Sequence, residues 1–107
     1  MRFAVSPPRF NAATFGDDGS AYNMQRGLNA AAQGDIAAAK TFLGYSVECD
    51  SGFQVPHLAL GVIAAMEQRF TTARHEWLAV LEGWDPSTGA DITTAQYDAI
   101  RLLLKYS

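Results

Sequence analysis

Two histidines, one cysteine and one short acidic turn are the groups in this 107-residue chain whose types suit them to chemistry. A catalytic or metal-binding histidine needs a second ligand, a nucleophile or an orienting carboxylate within reach. His57 and His75 stand far apart in the chain, in different expected helices, and neither has a histidine, cysteine or carboxylate at ligand spacing. His57 falls near the start of an expected helix, and His75 sits beside Glu76 on a polar side, so both are expected to be surface or capping histidines. Cys49 is next to Asp50, whose negative charge opposes formation of the reactive thiolate. The turn Gly16-Asp17-Asp18-Gly19-Ser20 lacks the alternating carboxylates and the distal glutamate of a calcium loop. None of the nine glycines forms a phosphate-cradling cluster after a strand. The expectation is therefore no catalytic residue, no metal, no cofactor and no enzyme.

Composition narrows the classes of partner. Hydrophobic residues make up 49% and charged residues 18%, a globular balance rather than a disordered one. The net charge is −3, and the eight basic residues are scattered from Arg2 to Lys105 without a cluster. A surface that neutralises phosphates is not expected, which argues against nucleic acid. No apolar window is long enough to span a membrane, and Pro7-Pro8 interrupts the apolar start that a secretory signal would need. A single cysteine excludes an internal disulfide and fits a reducing compartment, so a cytoplasmic location is expected.

The elements that would have to carry any site read as helices, and no stretch sustains the alternation of a strand. Ser20 is the expected N-cap of a first helix bearing Tyr22, Met24, Leu28 and Ala30-Ala31-Ala32. Gly34-Asp35 breaks the run, and Ile36, Ala39, Leu43 and Val47 carry a second helix that ends near Cys49 to Gly52. Pro56 suits the first position of a third helix, which runs to about Gln68. Arg69 or Thr71 opens a fourth that continues to Glu82, stopped by Gly83-Trp84-Asp85-Pro86. Asp91 is the expected cap of a fifth, with Ile92, Ala95, Tyr97, Ile100, Leu103 and Leu104 as its apolar side. Residues 1–19 are expected to form an extended N-terminal arm instead, because Pro7 and Pro8 oppose a helix while Phe3, Val5 and Phe10 would give it apolar anchors.

The helices repeat. Gly27 and Gly61 are separated by an offset of 61 − 27 = 34. Gly34 and Gln68, Ala39 and Ala73, Leu43 and Trp77, and Ser46 and Val80 share that same offset. Small residues at Gly61 and Ala64 let one helix approach its partner closely, Ala73 is small on the facing helix, and Phe70 and Trp77 fill the space around that contact. The polar pair Gln68-Arg69 is then the turn between two antiparallel helices. In Leu60-Gly61, Ala64, Phe70, Ala73, Trp77 and Asp85-Pro86, residues 54–87 resemble a tetratricopeptide repeat. Residues 20–53 resemble it more loosely, through Gly27, Ala30, Gly34-Asp35-Ile36, Ala39 and Leu43, without a closing proline. The resemblance implies an all-α fold: a short right-handed α-solenoid of about two helix-turn-helix repeats, with a C-terminal capping helix over about 91–106.

It also implies where a partner would bind. The concave side of such a stack comes from the first helix of each pair and commonly receives a peptide. Here those positions are Met24, Leu28, Ala31 and Ala32 in the first unit, and Leu58, Val62, Ala65 and Met66 in the second. Family members that grip a peptide's terminal carboxylate use Lys, Arg and Asn there, and these positions hold none. An apolar segment of another protein is the expected partner, with the two methionines adapting to its shape. The alternative is a structural subunit that assembles with copies of itself, through the arm contacts Phe3, Val5 and Phe10 or by end-to-end stacking of helices. Each inserted aromatic would contribute about 2 kcal/mol.

Overall fold

The computed structural model describes residues 19–85, 87 and 91–106. Among the described residues it contains five helices and no strand: α1 (Ser20–Ala32), α2 (Ile36–Cys49), α3 (Gln54–Met66), α4 (Phe70–Val80) and α5 (Thr94–Lys105). They fall into two compact units divided after Ser51, the first holding α1 and α2 and the second holding α3, α4 and α5. The expected arm over residues 1–19 lies outside the described residues, apart from Gly19.

In the first unit, α1 and α2 form an antiparallel hairpin. Gly34 takes the left-handed conformation at φ 84°, and the Asp35 N–H donates to Ala30 O at 2.9 Å, which closes α1. Asp35 then caps α2, its carboxylate accepting from the Ala38 N–H at 3.1 Å. A β-carbon on Gly27 would lie 2.7 Å from Leu43 Cγ, so glycine is what permits this approach. At the open end two buried serines tie the helices together. Ser20 Oγ donates to Ser46 O at 3.2 Å, and Ser46 Oγ donates to Ser20 O at 2.8 Å. Ser20 was the expected N-cap. The helix begins after Gly19 with no side-chain cap, and the Ser20 hydroxyl serves this crosslink instead.

The second unit repeats that hairpin. Helix α3 begins and ends one repeat after α1, at the offset that separates Gly61 from Gly27, and α4 begins one repeat after α2. Gln68 takes the left-handed conformation at φ 63° where the first unit has glycine, and the Arg69 N–H donates to Ala64 O at 2.8 Å. Gly61 faces Trp77 as Gly27 faces Leu43, with the indole occupying the space that a β-carbon would need. Trp77 is fully buried beside Ala64, Ala73, Val80 and Ala99. The expected helical repeat is thus present as geometry.

Four boundaries differ from expectation. Pro56 stands third in α3, not first, still within the first turn, where a missing N–H costs no helical hydrogen bond. Helices α3 and α4 stop at Met66 and Val80, short of Gln68 and Glu82, because the last turn of each gives way to the following connection. Thr93, not Asp91, caps α5 through a reciprocal capping box with Gln96. Sequence reasoning favoured the charged residue. The capping box needs a Gln or Glu three positions on, which Thr93 has and Asp91, followed there by Thr94, does not.

Candidate functional site

Helices α3 and α5 of the second unit enclose a groove of about 440 Å³, lined by Leu58, Val62, Asp98, Arg101, Leu102 and Lys105. Its walls are held at both ends. At the helix N-termini, Thr93 Oγ1 accepts from the Gln96 N–H at 3.1 Å and donates to Gln54 Oε1 at 2.7 Å, which links the α5 cap to the first residue of α3. The Gln96 side chain is buried and donates to Val80 O at 3.5 Å, anchoring α5 on the end of α4. After the last turn of α5, the Tyr106 ring stacks on Phe70 at 5.7 Å and tilts against Trp77 at 5.5 Å. Arg74 Nη1 also donates to Tyr106 O at 3.5 Å.

The floor follows from the repeat contact. Leu58 packs against the core cluster around Trp77, and its carbonyl accepts from Trp77 Nε1 at 3.3 Å. Val62 is one turn further along α3 and remains 38% exposed. Leu102 supplies the apolar contribution of α5. The rim is charged, with Asp98, Arg101 and Lys105 spaced along one side of α5. The Arg101 guanidinium lies 6.0 Å from the Tyr97 ring centroid and the Lys105 ammonium 5.6 Å from that of Tyr106. Neither makes an ion pair among the described residues.

The groove positions expected from the sequence divide. Leu58 and Val62 line the groove, while Met66 stands 67% exposed at the end of α3 and is not among its lining residues. Met24, Leu28 and Ala31 belong to α1 in the first unit, where all three are half-buried. The arm residues Phe3, Val5 and Phe10 lie outside the described residues. Arg101 and Lys105 also line the groove, which the apolar side of α5 does not by itself reveal. The signal was present, since residues 98, 101, 102 and 105 fall on one helical stripe.

The expected surface role holds for His75 and fails for His57. His75 is exposed. His57 is only 8% exposed, and its Nδ1 lies 2.8 Å from Glu76 Oε1, joining α3 to α4. No local spacing rule reveals so distant a partner, although the repeat register places it on the facing helix. Trp77 is core, as its register indicated. Trp84 is half-buried, and its enclosed indole N–H meets no acceptor among the described residues. Cys49 is the last residue of α2, with Asp50 as the C-cap. Among the described residues no three His, Cys, Asp or Glu side chains converge to hold a metal, and no helix is long and apolar enough to cross a membrane. Compared with known proteins, the chain matches no protein-family model, no curated protein and no solved structure.

Proposed function

We propose that this chain is a non-enzymatic interaction module of tetratricopeptide type, working in the cytoplasm, that receives an apolar segment of another protein. The observation that carries this reading is the α3–α5 groove, in which Leu58, Val62 and Leu102 form an apolar floor between two anchored helices. Such a floor gains stability when it loses its water to another apolar surface. Walls anchored by the Thr93–Gln54 bond and the Tyr106 stack keep more of the ordering cost of binding on the side of the partner. The solenoid arrangement belongs to the same proposal, supported by the shared register of the two hairpins.

Selection from a displayed library of short random peptides tests it. Wild-type protein is expected to enrich apolar sequences. Val62→Glu should abolish the enrichment while leaving helicity and the melting temperature unchanged, because Val62 is partly exposed and outside the core cluster. No enrichment, or enrichment insensitive to Val62→Glu, overturns the reading. A self-assembling structural subunit is the second reading. It is supported by Tyr97 and Leu104, which are 55% and 73% exposed on α5.

A further inference from the structure

We propose that the segment received by the α3–α5 groove is acidic as well as apolar, with side-chain carboxylates that pair with Arg101 and Lys105. This deepens the binding reading given above and rests on it. Arg101 and Lys105 stand one helical turn apart on the same wall as Leu102. Both are exposed, and both lack a carboxylate partner among the described residues. Their charge is local in a chain whose net charge is −3, so they are not part of a general basic surface. An apolar segment without acids would cover the floor and leave two cations beside newly dehydrated surface. A segment with acids beside its apolar residues would satisfy both requirements.

Asp98 gives the rim a direction. It lies one turn before Arg101 on α5, so one end of the groove repels an acidic residue while the Lys105 end attracts it. The recognised chemistry is therefore a short peptide with apolar residues over Leu58 and Val62 and glutamate or aspartate toward Lys105. The carboxylates in question belong to side chains within the segment, not to a peptide terminus.

Three synthetic peptides with both ends blocked provide the test, identical except that an apolar pair is followed by two Glu, two Gln or two Lys. Binding of each to the full chain is measured by fluorescence anisotropy. The Glu peptide is expected to bind about threefold to tenfold more tightly than the Gln peptide, and the Lys peptide more weakly still, as for exposed charge pairs. Arg101→Gln with Lys105→Gln should erase the Glu preference, so that the Glu and Gln peptides bind this variant equally. Raising salt from about 50 to about 500 mM should also shrink the preference, because the rim is open to solvent. Equal binding of the Glu and Gln peptides, both lost in Val62→Glu, overturns the acidic preference and leaves the apolar groove standing. No binding by any of the three peptides overturns the preference, and the library selection then decides the groove separately. Binding only when the peptide's C-terminus is unblocked also overturns it, in favour of a terminal carboxylate.

Discussion

A glycine facing a tryptophan sets the tolerance of the second hairpin at the level of single atoms. A β-carbon on Gly61 would fall 2.6 Å from Trp77 Cδ1 and 2.8 Å from Cε2, too close for either to remain in place. Gly61→Ala is expected to lower stability by about 2–3 kcal/mol, as overpacking does in a closed core. Urea unfolding measures it. The clash is specific, so Gly61→Ala should cost less in a Trp77→Leu background, and additive costs would refute the contact. Gln68 offers the opposite case. It holds φ 63° without being glycine, and Gln68→Gly is expected to stabilise the chain by about 0.5–1 kcal/mol by relieving left-handed strain. Asp85 adds a pH signature. Hydrogen bonds from the Ser87 hydroxyl and the Ser87 N–H hold its carboxyl below the ordinary carboxylate value. The small contribution to turn order is therefore present above the unfolded Asp value and is lost as pH falls through the lowered one. An NMR titration of Asp85 should show that low midpoint, and Ser87→Ala should raise it.

Helices in this chain are placed by their ends as much as by their faces. Helix α5 has a capping box at Thr93, a bond from that same hydroxyl to Gln54, and an aromatic stack at Tyr106. Thr93→Ala removes the cap and the link together, and a loss of about 1–2 kcal/mol is expected. Thr93→Ser should recover most of it, because the hydroxyl carries both roles. Since the α5 wall is set by this anchor, Thr93→Ala should also weaken peptide binding more than its loss of stability implies. Unchanged affinity would show that the groove does not depend on the cap. In the first unit the reciprocal Ser20 and Ser46 bonds do the corresponding work for α1, which has no side-chain cap.

At the scale of the molecule, the two readings of function differ in what the chain does alone. A peptide-binding module is expected to keep a mass near 11.6 kDa in light scattering as its concentration rises. A self-assembling subunit would give a defined oligomer or a growing mass, and deletion of residues 1–15 or Leu104→Glu would then reduce it. Neither change touches the residues lining the α3–α5 groove, so peptide binding and assembly can be scored separately.

Much of this organisation was legible in the residues. Local patterning alone determined that the chain is helical, that it turns at Gly34-Asp35 and Gln68-Arg69, and that the hairpins repeat with Leu43 and Trp77 in equivalent places. Periodicity, breakers and small residues act over a few positions, so sequence carries them directly. Only the tertiary structure decided that His57 meets Glu76, that Ser20 binds across to Ser46 instead of capping its own helix, and that Thr93 reaches Gln54. It also decided that Arg101 and Lys105 join Leu58 and Val62 in one groove. Each of those contacts joins different helices far apart in the chain, and which groups meet over such distances depends on how helices cross, not on what any helix prefers by itself.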